Sequence, residues 1–261
     1  VGKKAGVATI TCTLANGVSA SVKVAVSDAN SAVGSDGSVH AGYWVGSGSS
    51  WWYAYNGGGY ATGWQLIGGS WYHFDGSGWM QTGWQRIGAA WYYLNGDGSM
   101  ATGWKYVGGV WYYLNEGGDM ATGWKLVDGA WYYLYGSGAM ATGWQQIGGA
   151  WYYLNSGGDM ATGWKMVGGT WYYLNPADYK MLTGKQVIKD KTYFLTESGS
   201  KAGAMVTGWN HEENNTKWYY YNPSGDMALG WKKVKNVWYY LNPQTGVMET
   251  GLVNDGKADY Y

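Results

Sequence analysis

Phenylalanine, proline and cysteine are nearly missing from this chain of 261 residues, which holds 2 Phe, 3 Pro and 1 Cys. A single cysteine, Cys12, excludes an internal disulfide framework and is expected to be a small buried hydrophobe. The scarcity of proline, with no three-residue period among 46 glycines, excludes collagen and proline-rich disorder. Net charge is also lacking. Seventeen basic residues balance seventeen acidic ones, so nothing favours nucleic acid or an anionic membrane surface. No apolar run reaches the roughly eighteen residues that crossing a bilayer takes, so membrane insertion is not expected. The chain begins at Val1 without a charged-then-apolar leader, and is expected to be a piece of a longer exported protein whose signal lies upstream.

Catalytic signatures are missing too. No G-x-S-x-G, H-E-x-x-H, Walker or dinucleotide motif occurs, and His40, His73 and His211 are scattered without a nucleophile nearby. His211-Glu212-Glu213 reads as an enlarged hairpin loop. Asp119 and Asp159 read as turn-forming carboxylates, and Asn95-Gly96-Asp97-Gly98 lacks the remaining ligands of a calcium loop. No catalytic residue, metal or cofactor is expected.

What the chain does contain is 20 Trp and 26 Tyr, an aromatic content that argues against disorder. Residues 1–28 hold neither type and alternate instead, through Ala8, Ile10, Cys12 and Leu14 and then Val18, Ala20, Val22, Val24 and Val26. This predicts a β-hairpin with a three-residue loop, Ala15-Asn16-Gly17, that sets Ile10 opposite Val22. Two strands are marginal alone, so their apolar face is expected to pack on strands outside this sequence. Gly6 to Ser27 resembles the closing strands of a bacterial immunoglobulin-like (group 2) domain. Residues 29–42, rich in Ser, Gly and Ala, read as a linker to a repeat domain over 43–261.

The repeat is set by tryptophan. Trp44, Trp64, Trp84, Trp104, Trp124, Trp144 and Trp164 recur every twenty residues, each followed seven residues later by Trp51, Trp71, Trp91, Trp111, Trp131, Trp151 or Trp171. The pattern degenerates at Lys185 and Thr192, recovers at Trp209 and Trp218, continues at Trp231 and Trp238, and closes at Leu252 and Asp259. Eleven units result, nine with a complete pair; only Trp52 and Trp79 stand outside. Such a short fixed period predicts an all-β solenoid of stacked β-hairpins.

Within one unit, Trp104-Lys105-Tyr106-Val107 precedes Gly108-Gly109 and then Val110-Trp111-Tyr112-Tyr113-Leu114. A two-residue turn pairs Trp104 with Tyr113 and Tyr106 with Trp111. Alternation then puts Trp104, Trp111 and Tyr113 on one face, and Val107, Tyr112 and Leu114 on the other. The second face is the expected core. The first is surplus aromatic surface, with Met120 placed to wall the gap between hairpins. Trp and Tyr in place of Phe suit rings that are half buried and half available, and several such rings make a cage for a quaternary ammonium.

The run from Gly103 to Trp124 resembles the choline-binding, or cell-wall-binding, repeat of Gram-positive surface proteins, and the resemblance extends over 42–261. It implies a hairpin solenoid that binds choline or phosphocholine of teichoic and lipoteichoic acids, at the extracellular cell wall, through two tryptophans of one repeat and a tyrosine of the next. Carried over, the tyrosine two places after the second Trp shares the Trp face and takes that role. The expected sites are Trp64, Trp71 and Tyr93; Trp84, Trp91 and Tyr113; Trp104, Trp111 and Tyr133; Trp124, Trp131 and Tyr153; and Trp144, Trp151 and Tyr173. Further along stand Trp164, Trp171 and Phe194; Trp209, Trp218 and Tyr240; and Trp231, Trp238 and Tyr261. His73 in the tyrosine position weakens the expected Trp44, Trp51 site, and none is expected at Lys185. Two other readings stay open: a glucan or other glycan as the ligand, and the targeting half of a cell-wall hydrolase.

Overall fold

The computed structural model describes residues 6–13, 19–26, 31–211 and 217–260. Regular structure among them is all β, apart from one 3-10 turn at Gly199–Lys201, and runs as successive hairpins. Two compact units divide the chain: Val1–Lys125 with Tyr133–Met140, and Leu126–Tyr132 with Ala141–Tyr261.

At the start of the first unit, Gly6–Thr13 pairs antiparallel with Ser19–Val26, and Ile10 faces Val22 as expected. The proposed loop residues Ala15, Asn16 and Gly17 lie outside the described residues. Cys12 is exposed, contrary to the buried position expected of it. A two-stranded ribbon offers no second layer to cover it.

Part of the stretch expected to be a linker is regular structure. Ser31–Gly34 is a buried strand at the centre of a five-stranded sheet, between Val39–Ser47 and Gly63–Ile67, with Ser50–Tyr55 and Ser70–Phe74 outermost. The residues that gave it linker composition explain this. Ser31, Ala32 and Gly34 are small enough to fit between neighbours on both edges, and Ala32 and Val33 are fully buried.

The hairpins Gly83–Ile87 with Ala90–Leu94 and Gly103–Val107 with Val110–Leu114 complete the described pairings of this unit. The second unit repeats the arrangement from Gly143–Ile147 with Ala150–Leu154 to Gly230–Val234 with Val237–Leu241. The register is the expected one: Trp104 faces Tyr113, Lys105 faces Tyr112 and Tyr106 faces Trp111. Gly108 and Gly109 have φ of 58° and 85°, the mirror-image turn whose twist suits a hairpin. Lys189-Asp190 and Lys235-Asn236 hold comparable angles without glycine.

Two contacts tie successive hairpins together within each unit. The Met100 N–H donates to the Trp71 carbonyl at 2.7 Å, and Met120 repeats this with Trp91, as do Met181 with Trp151 and Met205 with Trp171, both at 2.8 Å. The Met100 side chain then lies where a Cβ on the following turn glycine, Gly118, would stand, and Met181 lies likewise against Gly203. The core is narrower than the sequence suggests. Leu94, Leu114, Leu154 and Leu174 are fully buried, while Val107 on the same face is only half-buried. One complete burial per hairpin contributes about 1.5–3 kcal/mol, which makes stacking on neighbours necessary.

Candidate functional site

Four of the tryptophan pairs make corners of near-perpendicular indoles. The indoles of Trp64 and Trp71 stand at 86° with centroids 6.5 Å apart; those of Trp144 and Trp151 stand at 89° and 6.3 Å. A tyrosine of the next hairpin supplies the third wall, Tyr92 at 4.9 Å from Trp64 and Tyr172 at 4.8 Å from Trp144. Methionine closes the pocket, and the rings leave space between them. Met100 joins Trp64, Trp71 and Tyr92 around a cavity of about 270 Å³, whose lining Ser35, Glu116 and Gly117 complete. Met181 joins Trp144, Trp151 and Tyr172 around one of about 290 Å³.

The third wall is not the residue the sequence suggested. Tyr93 does share the tryptophan face, but of its own hairpin: it stands opposite Trp84, with ring centroids 5.2 Å apart. Successive hairpins stack with the second face of one against the aromatic face of the one before. Tyr92, on the second face, is therefore the ring that reaches back to Trp64, as Tyr112 reaches Trp84 at 4.8 Å. The same stacking covers Tyr93 with the ammonium of Lys105, 5.3 Å from its centroid. Lys125 covers Tyr113 and Lys165 covers Tyr153 in the same way. These lysines are fixed by donating to Asn95, Asn115 and Asn155 at 2.6–2.7 Å. The first face is thus half occupied rather than surplus.

The remaining expected residues follow the same correction. Trp164 meets Tyr193 at 4.8 Å, while Phe194 lies 6.1 Å from Tyr221. Trp209 meets Tyr239 at 4.7 Å, while Tyr240 lies against Trp231. Tyr133 stays on Trp124 at 4.8 Å, Tyr153 on Trp144 at 5.1 Å and Tyr173 on Trp164 at 5.1 Å. Trp104 and Trp111 form a 90° corner at 6.4 Å, and Trp231 and Trp238 one of 86° at 6.5 Å. Exposed faces of Trp91, Trp171 and Trp218 remain accessible. Trp124 and Trp131 belong to different compact units. Tyr261, and Glu212 and Glu213 of the expected loop, lie outside the described residues.

The Trp44, Trp51 pair has its tyrosine after all, Tyr72 at 4.9 Å from Trp44, and His73 lies on Trp64 instead. Here Tyr53 at 5.3 Å and Phe74 at 5.8 Å also crowd Trp44. Burial, and then the nearby Asp97 carboxylate, raise the Tyr72 phenol above its ordinary pKa, which keeps it neutral. Asp97 itself is held below the usual carboxylate range, chiefly by the Ser99 hydroxyl that donates to it. At the interrupted unit, Lys185 Nζ lies 4.1 Å from the centroid of buried Tyr219, the tyrosine that occupies the third-wall position there.

Family models agree with this architecture. The model described as the choline-binding repeat matches 61–102, 81–122, 101–142, 141–182, 161–203 and 182–229, and the putative cell wall binding repeat matches 230–248. The chain belongs to the choline-binding repeat family. Among solved structures, it is similar to CbpJ of Streptococcus pneumoniae, with 31% identity over 83% of this chain and 97% of that one, TM-score 0.58. Choline-binding protein F of the same organism shares 32% identity over 82% and 95%, TM-score 0.55. The pneumococcal modular autolysin LytC shares 29% over 85% of this chain but only 52% of its own, TM-score 0.53. Among curated proteins, none matches the chain. The choline-binding repeats make it a choline-binding cell-wall module by family.

Proposed function

We propose that this module attaches a longer exported protein, without catalysis of its own, to phosphocholine on teichoic and lipoteichoic acids at the bacterial surface. The carrying observation is the recurring pocket of two perpendicular indoles, a tyrosine and a methionine. Its volume, about 270–290 Å³, falls at the lower edge of what drug-sized ligands occupy and suits a small headgroup. A methylated ammonium is weakly hydrated and donates no hydrogen bond, so aromatic faces compete well with water for it. Three walls at about 0.5–2 kcal/mol each give roughly 1.5–6 kcal/mol, a range that brackets millimolar affinity for one site. Firm attachment then comes from several sites on one polymer, which raises avidity about 10²–10⁴-fold.

Retention on a tertiary-amine resin with elution by free choline tests this reading, with tryptophan fluorescence followed against choline and soluble glucan. Response to glucan alone would move the ligand to the carbohydrate class. Because the chain spans 52% of the autolysin it resembles, a hydrolytic partner domain in the longer protein is a second reading. Wall lysis by the whole protein tests that reading.

A further inference from the structure

The interrupted unit opens a cavity of another kind. In a regular hairpin the first tryptophan covers the tyrosine opposite it, as Trp84 covers Tyr93. Here Lys185 faces Phe194 across the strands, but its ammonium lies over the Tyr219 ring. Phe194 is left lining a cavity of about 660 Å³, against about 290 Å³ for an aromatic pocket. The rest of the lining is polar: Thr196, Glu197 and Ser198 leaving one hairpin, and Asn210 and His211 of the next.

Its chemistry differs from that of the pockets. No indole lines it, so it lacks the walls that select a quaternary ammonium. Among the described lining residues, Lys185 and Glu197 offset each other in formal charge, and the carboxylate disfavours a phosphate. What remains is one aromatic face ringed by an amide, hydroxyls, a carboxylate and an imidazole, a mixture of donors and acceptors.

We propose that this cavity binds a neutral sugar, a hexose or N-acetylhexosamine unit whose C–H face lies on Phe194 and whose hydroxyls donate to Glu197 and meet Thr196, Ser198 and His211. The site is independent of the aromatic pockets, and it places a glycan contact inside the array where the tryptophan pair lapses.

The test uses the full chain with choline in excess, titrated with N-acetylglucosamine, N,N′-diacetylchitobiose and glucose, and read by saturation-transfer NMR. Glycylglycine and inorganic phosphate are the comparison probes. Expected is a sugar signal that choline does not displace. It should fall roughly fivefold or more in Phe194→Ala and Phe194→Leu and persist in Phe194→Tyr. In Glu197→Ala it should weaken about threefold to tenfold. Phe194→Leu keeps apolar volume without a flat ring, so it remains informative if the alanine variant does not fold. No sugar signal, a signal unchanged in Phe194→Leu, displacement by choline, or binding of the dipeptide or phosphate in place of sugar would each overturn the proposal.

Discussion

Replacing Tyr172 by alanine while leaving Tyr173 intact, and the reverse, separates the two candidate tyrosines. Tyr172 stands 4.8 Å from Trp144 and lines its pocket, whereas Tyr173 stands 5.1 Å from Trp164 and lines none of it. Removing one of three cation–π walls costs about 0.5–2 kcal/mol, which raises the choline Kd of that site about 2–30-fold. A signal averaged over many sites would dilute this. Methionine resolves the difficulty, because Met181 lines the same pocket and the chain has only 10 Met. Methyl-13C methionine labelling, with Met181→Leu to assign the resonance, gives a Kd local to that pocket. Tyr172→Ala should raise it by the stated factor, and Tyr172→Phe, which keeps the ring face, should stay within about twofold. Tyr173→Ala should leave the Met181 titration within about twofold as well. If instead Tyr173→Ala weakens choline at Met181 as much as Tyr172→Ala does, the stacking of one hairpin's second face on its predecessor's aromatic face is wrong.

Three further outcomes are expected. Gly118→Ala should lower thermal stability by about 1–3 kcal/mol, because its Cβ meets the Met100 side chain and its backbone sits at φ 84°; calorimetry checks this. Lys185→Trp combined with Thr192→Trp should add one choline equivalent by calorimetric titration, since Tyr219 already stands in the third-wall position; an unchanged stoichiometry would show that the pair alone does not make a pocket. Tyr72 has a raised pKa in the folded state, so its contribution is fully present below the unfolded tyrosine value of about 10 and is lost as pH rises through the folded value. Stability of wild type should therefore decline in alkali more steeply than that of Tyr72→Phe, measured by chemical denaturation between about pH 9 and 11.

The third wall was legible in the sequence, in a signal that face alternation hides. The residue directly after the second tryptophan stays tyrosine from Tyr72 and Tyr92 through Tyr219 and Tyr239, and even where the pair lapses, at Thr192-Tyr193 and Asp259-Tyr260. The next position varies, to His73 and Phe194. Constancy within the repeat marked the pocket residue, whereas sharing a face with tryptophan marked only an intra-hairpin neighbour. The buried strand Ser31–Gly34 was hidden for another reason: its small polar residues have linker composition, and only the edges offered by Val39–Ser47 and Gly63–Ile67 make it a strand.

By itself the sequence determined everything local: hairpin boundaries, the two-residue turns, the pairing of Trp104 with Tyr113, and the period that repeats them. Those follow from alternation and turn chemistry, which act over a few residues. Tertiary structure decided which face of one hairpin meets its neighbour, and with it that Tyr92 walls the pocket while Lys105 covers Tyr93. That choice rests on amide-to-carbonyl bonds such as Met100 N–H to the Trp71 carbonyl and on a methionine seated where a glycine has no Cβ. Such contacts join residues of different repeats, and no periodicity within a single unit specifies their relative rotation.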